Sequence, residues 1–350
     1  ACQEVFQNFR SLQKKRRDGI SFAHCRIYCK IKICEVFRMN ENVPTYPYTI
    51  DRASVYMHTT PELSGEMCDE LPYGTRLRVL SEAAPDSGIA WVRCETAYGY
   101  CGYLPEKVLA PAPFSDAVPH EKLYAFAVTA PFCDVLLDSL YKYRPILTLP
   151  RAAVVLARRP TLSSDRFFPI LHKGRRFFVP TAALRPLLTE QKGRNAKDVS
   201  SSSGCPENPN SVQLKSRTGL PENTISALRK QICDDALSYL GTPYRWGGRT
   251  PSGIDCSGLC FTVYALNGLP LWRDAYADKR YVHEIDKTQL QPGDLIYFKS
   301  HMALYIGDDE YVHASASTGY VTVGSLNPAS VLWRQDLAQS FLCFAESNFL

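Results

Sequence analysis

One cysteine of this 350-residue chain stands where a nucleophile is expected. Cys256 follows a glycine- and proline-rich loop, residues 241–253, and precedes an apolar helical pattern that runs to Asn267. Asp255 is suited to cap this helix, which would place Cys256 in its first turn. Free N–H groups and the positive end of the helix dipole favour a thiolate at that position. The pattern therefore predicts a cysteine nucleophile.

A cysteine nucleophile needs a base within hydrogen-bond reach and usually a third group that orients the base. Of the seven histidines, His301 opens an apolar strand pattern and His313 lies in the next strand pattern. Two histidines on one hairpin, downstream of the cysteine helix, predict a Cys-His-His constellation. Cys260, which lacks the glycine-rich flank of Cys256, fits the commoner role of a buried structural thiol.

The register of this hairpin decides whether its two histidines can meet. A plain two-residue turn at Asp308-Asp309 would pair His313 with Leu304, which would put His301 and His313 on opposite faces of the sheet. We therefore predict a three-residue loop or a β-bulge between the two strands. A regular two-residue hairpin would contradict the pairing of the histidines.

Helical patterns precede strand patterns in the last third of the chain. A helical stripe over residues 225–240 ends at Gly241, with Asn223 or Thr224 as its expected cap. Four strand patterns follow the cysteine helix, at 294–298, 302–306, 311–314 and 320–323. Helices followed by an antiparallel sheet predict an α+β domain over residues 223–350.

Two stretches before this domain have the pattern of small β-barrels. Residues 55–109 hold short alternating strands separated by turns, and residues 121–188 repeat this order more loosely. The first pattern resembles a bacterial SH3-like domain, and we predict two such domains, at 39–110 and 111–188. The polar, Ser/Asn/Pro/Gly-rich stretch 189–222 predicts a flexible linker.

The first 38 residues differ from the rest in charge. They hold nine Lys/Arg and three acidic residues, a net charge of +6, whereas the whole chain carries +5. The remainder is therefore close to neutral, which disfavours a nucleic-acid partner. One hypothesis is that Met39 is the true start and that residues 1–38 are upstream sequence. The alternative is a basic targeting or anchoring segment.

Cysteine use and hydropathy bear on the compartment and on cofactors. Nine cysteines follow residue 38, and an odd number without a visible secretion signal favours a reducing compartment. We therefore predict a cytoplasmic protein, with a secreted or wall-associated one as the alternative. No apolar run approaches the ~18 residues of a membrane span. The residues His24, Cys25, Cys29 and Cys34 lack the paired spacing of structural zinc sites, and we expect no metal, no organic cofactor and a monomer.

Five ordered motifs within residues 225–350 resemble the NlpC/P60 family of papain-like cysteine peptidases, which cleave bacterial cell-wall peptides. They are GTPYRWGG at 241–248, DCSGL at 255–259, PGDLIYF at 292–298, HMALYIG at 301–307 and YVHA at 311–314. Two SH3-like domains ahead of such a peptidase resemble more specifically the murein-recycling endopeptidases. The resemblance implies two all-β SH3-like barrels followed by an α+β papain-like catalytic domain.

The resemblance also implies catalytic roles for individual residues. Cys256 would be the nucleophile, His301 the base, and His313 the residue that holds His301 in the right tautomer. Tyr244 matches the family tyrosine whose hydroxyl assists the oxyanion hole, beside the backbone N–H of Cys256. The reaction would be thiolate attack on the bond between γ-D-glutamate and the diamino acid of a stem peptide, followed by hydrolysis of the thioester.

Substrate contacts are implied in the same way. Asp274 matches an acidic residue that helps to bind the free amine of the substrate's L-alanine, and a carboxylate suits an ammonium group. The positions that match cleft-lining residues are Trp246, Asp255 and Ser257. The first SH3-like domain is expected to wall off the cleft and to contact the same amine. Its three residues considered for that contact are Glu66, Glu70 and Tyr103.

Other readings of the same sequence stay open. A cell-wall remodelling hydrolase would act on intact peptidoglycan rather than on free peptides. A cell-wall binding protein would use its barrels and carry an idle third domain, and a different Cys-His acyl enzyme would use the same fold on another acyl donor. The closing sequence, residues 341–347, lacks the small and basic residues with which the family usually ends, so the pairing of the last strand is left open.

Overall fold

Short strand patterns fold into three large sheets in the computed structural model, which describes residues 46–112, 123–139, 144–158, 162, 165–187 and 222–350. In this part of the chain strands predominate and helices are few. The predicted leader (1–38) and nearly all of the predicted linker (189–222) lie outside the described residues.

The first sheet has seven strands in the order β3-β2-β6-β5-β4-β1-β7. Its strands are β1 (Tyr48–Ile50), β2 (Ser54–His58), β3 (Met67–Pro72), β4 (Arg76–Asp86), β5 (Ile89–Thr96), β6 (Cys101–Pro105) and β7 (Leu109–Pro111). Alternate apolar residues point to one side, where Leu71, Leu77 and Leu104 are fully buried. A short 3₁₀ helix, Glu106–Val108, precedes the last strand.

The second sheet repeats this topology strand for strand, in the order β10-β9-β13-β12-β11-β8-β14. Its strands are β8 (Tyr124–Val128), β9 (Phe132–Leu136), β10 (Pro145–Pro150), β11 (Val154–Ala157), β12 (Phe167–His172), β13 (Arg175–Pro180) and β14 (Leu184–Pro186). A 3₁₀ helix, Thr181–Ala183, again precedes the last strand. The looser sequence repeat of residues 121–188 thus corresponds to a repeated strand order.

A glycine allows the two sheets to approach closely. Gly74 has a φ of +83°, and a Cβ at this position would lie 2.1 Å from the carbonyl oxygen of Val154 in the second sheet. The Val154 N–H donates to the Tyr73 carbonyl over 2.8 Å. Because any side chain at residue 74 would collide with the backbone of the second sheet, this turn requires glycine.

The last part of the chain packs helices against a six-stranded antiparallel sheet of order β17-β22-β18-β19-β20-β21. The helices are α1 (Glu222–Leu237), α2 (Cys256–Leu266) and α3 (Gln335–Ser340). The strands are β17 (Val282–Ile285), β18 (Leu295–Phe298), β19 (His301–Gly307), β20 (Glu310–Ser315), β21 (Tyr320–Ser325) and β22 (Phe341–Ser347). A two-stranded ribbon, β15 (Arg249–Thr250) with β16 (Gly253–Ile254), precedes α2.

The start of α1 and the pairing of the last strand can now be compared with the expectations from the sequence. The helix α1 begins at Glu222, so Asn223 and Thr224 lie inside it, and the prediction that one of them caps the helix is wrong. The last strand, β22, pairs with both β17 and β18 and so lies inside the sheet. Residues 341–347 therefore form an interior strand with a neighbour on each side, although they lack the small and basic residues with which the family usually ends.

The face of the sheet that carries α2 forms the largest core. Leu259, Cys260 and Val263 of α2 are fully buried against Met302 and Leu304 of β19. The second sheet is tied to the other helix, because Arg185 donates two hydrogen bonds of 2.7 and 2.9 Å to Asp235 of α1. The body of α2 thus packs on the sheet, and α1 is held to the second sheet.

Candidate active site

The N-terminus of α2 carries the cysteine that was predicted as the nucleophile. Asp255 caps the helix, as expected, by accepting a 2.5 Å hydrogen bond from the backbone N–H of Gly258. A Cβ at Gly258 would lie 2.2 Å from the Gly248 carbonyl, so the glycine-rich loop packs directly on the first turn of the helix. Cys256 is the first residue of the helix and is 6% exposed.

His301 and His313 lie together, as the predicted β-bulge requires. The register pairs Leu304 with Val312 and Tyr305 with Tyr311 but shifts before Gly307, so Ile306 is the extra residue and the bulge is confirmed. This shift brings both histidines to the same face of the sheet. His301 Nε2 lies 2.8 Å from His313 Nδ1.

Burial sets the charge state of the three groups at neutral pH. Desolvation lowers the pKa of His301 to about 4 and that of His313 to about 3, with the neighbouring Arg334 acting in the same direction. Desolvation and the Asp255 carboxylate raise the pKa of the Cys256 thiol to about 11, although the N–H groups of Met302 and Ser257 lower it. The resting site therefore holds a thiol and neutral imidazoles.

The Met302 amide shows how close the thiol is to the histidine strand. Its N–H lowers the pKa of the Cys256 thiol, and Met302 directly follows His301 in β19. Tyr244 approaches the thiol from the glycine-rich loop. Burial raises the pKa of Tyr244, and the nearby Cys256 raises it further. Tyr244 and Met302, the residue after His301, thus both lie near Cys256, and His313 contacts His301.

Asp255 and Ser257 take part in a buried network that sequence reasoning did not foresee. Arg273 donates to Asp255 Oδ1 and Oδ2 over 3.1 and 2.9 Å and to Ser257 Oγ over 2.9 Å. Its Nε donates over 2.6 Å to Asp69, a residue of the first sheet. The Arg273-Asp274 pair was visible in the sequence, but only its aspartate was selected.

Asp274 also contacts the first sheet. The Tyr100 hydroxyl donates a 2.8 Å hydrogen bond to Asp274 Oδ1. Burial raises the pKa of Asp274, and the Tyr100 hydrogen bond and Arg273 partly offset this increase. Tyr100 was not selected from the sequence. The available signal was its place in the closing YGYCGYLP hairpin, where Tyr103 was chosen instead.

The three residues considered for the substrate amine, Glu66, Glu70 and Tyr103, have other surroundings than Tyr100. Glu66 is exposed, and Tyr103 lies on β6 opposite His58 and Arg93. Glu70 is buried at the boundary with the last domain, where it accepts a 3.0 Å hydrogen bond from the backbone N–H of Arg249. None of their described contacts involves Asp274.

The remaining predicted cleft residue, Trp246, is 58% exposed. It precedes Gly247, which has a φ of +70° and would place a Cβ 3.0 Å from the Met67 carbonyl of the first sheet. Its assignment as a cleft-lining residue stays a prediction. Within the described ranges no group of three or more His, Cys, Asp or Glu side chains is arranged to hold a metal ion.

Comparisons with known proteins agree on one family. The model of the NlpC/P60 family matches residues 241–340. The "Dipeptidyl-peptidase 6" of Lysinibacillus sphaericus is 31% identical over 287 residues, which cover 81% of this chain and 92% of that protein. The chain belongs to the NlpC/P60 family. The prediction of an NlpC/P60 peptidase domain at the C-terminal end is thereby confirmed.

Two further proteins are similar to this NlpC/P60 chain. The "Gamma-D-glutamyl-L-lysine dipeptidyl-peptidase" of Bacillus cereus is 37% identical over 97 residues, which cover 25% of this chain and 29% of that protein. The crystal structure of an NlpC/P60 family protein from Bacillus cereus superimposes with a TM-score of 0.59 over 87% of this chain and 100% of that chain. At 18% identity the second comparison shows the shared fold.

Helix length and hydropathy bear on membrane association. No α-helix within the described part of this NlpC/P60 chain is long and apolar enough to cross a bilayer.

Proposed function

We propose that this NlpC/P60 protein is a cysteine endopeptidase that hydrolyses the γ-D-Glu–diamino acid bond of peptidoglycan stem peptides whose L-alanine amine is free. The two seven-stranded sheets would be SH3-like barrels, at 39–110 and 111–188. The papain-like catalytic domain would span residues 223–350. No metal or organic cofactor is required by this chemistry.

The observation that carries the proposal is the contact between His301 of β19 and His313 of β20, in the sheet that packs against the cysteine helix. His301 Nε2 faces His313 Nδ1 at 2.8 Å, which leaves Nδ1 of His301 to exchange a proton with Cys256. For His301 to act as a base, its Nε2–H must donate to His313 Nδ1. His313 then fixes this tautomer and stabilises the imidazolium that forms during attack.

The geometry supports a two-step acyl transfer. His301 takes the thiol proton of Cys256 as the sulfur bonds to the carbonyl carbon, and the oxyanion would receive the N–H of Cys256 and the hydroxyl of Tyr244. The C–N bond then breaks, and His301 returns the proton to the leaving amine. In the second step His301 takes a proton from water, the hydroxide attacks the thioester, and the C–S bond breaks to regenerate the thiol.

Unequal buried charge supports a cationic group on the substrate. Carboxylates outnumber guanidinium groups in the cluster around Arg273: Asp69, Asp255 and the half-buried Asp274 stand against Arg249 and Arg273. Burial already disfavours the charged form of Asp274. An ammonium group beside Asp274 would stabilise the carboxylate, whereas an acetylated amine would leave it without a cation.

The names of the relatives point to the same bond. One relative is named a gamma-D-glutamyl-L-lysine dipeptidyl-peptidase and another a dipeptidyl-peptidase, and a dipeptidyl-peptidase removes two residues from a free N-terminus.

We also propose a cytoplasmic, monomeric protein. The eight cysteines of the described residues are all free thiols, which suits a reducing compartment.

Mass spectrometry of L-Ala-γ-D-Glu-diaminopimelate after incubation with the wild type tests the proposal. The same peptide with an N-acetyl group and the Cys256→Ala variant serve as controls. We expect cleavage of the free-amine peptide alone, and none by the variant. Equal cleavage of both peptides would indicate a remodelling hydrolase without an amine site. Cleavage of neither would favour a binding module or another acyl enzyme.

A further inference from the structure

We infer that Asp69, which belongs to the first sheet, positions the nucleophile helix of the last domain through Arg273. The first domain would then hold the catalytic cysteine in position, in addition to forming one wall of the cleft. This inference rests on the proposed function, because it takes Cys256 as the nucleophile.

The guanidinium of Arg273 links the two domains through separate edges. Its Nε donates to Asp69 Oδ1 over 2.6 Å, and its two Nη atoms donate to both oxygens of Asp255. Asp69 is fully buried and Arg273 is 1% exposed. Since a planar guanidinium presents its donors in a fixed fork, the position of one carboxylate constrains the position of the other.

The far end of this link is the cap of α2. Asp255 Oδ1 accepts both from Arg273 and from the Gly258 N–H, and Arg273 Nη1 also donates to Ser257 Oγ. The two residues that flank Cys256 in the chain are therefore both held by Arg273. A shift of this guanidinium would move the first turn of α2, and with it the Cys256 N–H that serves the oxyanion.

A second arginine holds Asp69 from its other side. Asp69 Oδ2 accepts from the Tyr98 hydroxyl and, over 3.4 Å, from Arg249 Nη1. The Arg249 guanidinium lies 4.3 Å from the centre of the Phe261 ring, which belongs to α2. Both oxygens of Asp69 are thus engaged, and the carboxylate has little freedom to reorient when the protein binds its substrate.

Burial makes each of these charges dependent on its partner. Burial by itself would lower the pKa of Arg273, but Asp255 and Asp69 together hold it well above its usual value. Neutralising one carboxylate would leave a buried guanidinium with half of its charge compensation. The remaining pairing with Asp255 would then tighten or rotate, which displaces the helix cap.

Glu70, the next residue of β3, offers a matched control. It is equally buried at the same boundary, but it accepts from Ser54 Oγ, from the Arg249 N–H and from Thr250 Oγ1. These bonds hold the β15 ribbon to β3 without any contact to Arg273. A variant of Glu70 therefore weakens the same domain boundary and leaves the link to the cap intact.

The experiment compares Asp69→Asn with Glu70→Gln in the full chain. Steady-state kinetics on L-Ala-γ-D-Glu-diaminopimelate give kcat and KM, and thermal unfolding gives Tm. We expect Asp69→Asn to lower kcat about 10- to 100-fold, because small displacements of reacting groups have effects of this size. We expect its KM to change by less than about 3-fold. Glu70→Gln should lower Tm by a similar amount while retaining kcat.

Alkylation of Cys256 by iodoacetamide across pH gives a readout that needs no substrate. The charged and titratable groups that influence Cys256 are Asp255, Tyr244, Arg273 and the Cys260 thiol, together with the proposed base His301 and its partner His313. Removing the Asp69 charge leaves Arg273 less neutralised, so alkylation should begin at lower pH in Asp69→Asn. Glu70→Gln should keep the wild-type profile. The Cys256→Ala variant identifies the labelled thiol.

The inference would be overturned if both variants lost the same fraction of kcat, in proportion to their loss of Tm, and if both kept the wild-type alkylation profile. If Asp69→Asn fails to fold, Tyr98→Phe, which removes one hydrogen bond from Asp69, should give a smaller change of the same sign in kcat and alkylation. An unchanged Tyr98→Phe profile would then overturn it. A wild type that cleaves neither peptide refutes the proposed function, whereas the alkylation profiles still decide the role of Asp69.

Discussion

The Tyr100 hydroxyl lies 2.8 Å from Asp274 Oδ1, although 174 residues separate the two in the chain. The bond joins the closing hairpin of the first sheet to the last domain beside the buried Arg273. The two residues therefore connect the first sheet with the predicted amine site.

Removal of this hydroxyl tests the amine site. In Tyr100→Phe the Asp274 carboxylate loses a hydrogen bond that lowers its pKa, so less of it is charged and its orientation is less fixed. We expect KM for the free-amine peptide to rise about 10-fold, the value of one charge-assisted hydrogen bond. Steady-state kinetics at pH 7 measure this change.

Tyr103→Phe is the matched control for Tyr100→Phe. Tyr103 lies in the same hairpin, on β6, without a described contact to Asp274. Its kinetics should match those of the wild type. A rise in KM for Tyr103→Phe, with none for Tyr100→Phe, would contradict the amine site drawn from the structure.

The two cysteines of α2 should respond differently to alanine. Cys256→Ala removes the nucleophile and should reduce kcat by about 10⁶-fold. Cys260→Ala deletes a fully buried sulfur packed in the helix core, and it should cost about 1 kcal/mol of stability. Its kcat should remain close to that of the wild type. Peptide cleavage and thermal unfolding of both variants check this division, and an inactive but stable Cys260→Ala would contradict it.

Variants of His313 test the orientation of His301. Alanine removes the acceptor of the His301 Nε2–H and should lower kcat about 10²- to 10⁴-fold. Asparagine offers a carbonyl oxygen in its place and should lose less. His283→Ala, an exposed histidine whose ring contacts Asn348, should have the wild-type kcat. If His313→Ala retained full activity, the proposed role of the pair would be wrong.

The buried histidines should make the fold sensitive to acid. His313 is 1% exposed, and its pKa of about 3 lies below the ordinary value of 6.5. The unfolded chain therefore binds a proton below pH 6.5 while the folded one does not. The contribution of the neutral histidines to the free energy of unfolding is therefore fully present above pH 6.5. It is lost as the pH decreases toward the pKa values in the folded protein, about 4 for His301 and about 3 for His313.

Urea unfolding at several pH values measures this dependence. Between pH 6.5 and 5, His313 alone should contribute a loss of about 2 kcal/mol in the free energy of unfolding. His313→Asn should flatten this part of the profile, whereas His283→Ala should not. Identical slopes for the wild type and His313→Asn would contradict the neutral, buried state of His313.

Local signals allowed much of the site to be predicted. The cap by Asp255 and the start of the helix at Cys256 depend on residues within one turn of each other. The β-bulge followed from the requirement that His301 and His313 share a face. Asn223 and Thr224 were wrongly assigned as caps, because a polar residue in the first turn of a helix has the same local signal as one just before it.

The family, the nucleophile candidate, the two histidines and the repeated β pattern could all be recognised from the order of the amino acids alone. These features depend on the spacing and periodicity of residues that are close together in the sequence. The contact between Asp69 and Arg273, and the contact of Tyr100 rather than Tyr103 with Asp274, became visible in the folded chain. Such partners are far apart in the chain, and their distance depends on how the first sheet packs against the residues that follow β16. A buried charge in one segment is neutralised by a charge in a distant segment, and neither segment alone carries that information.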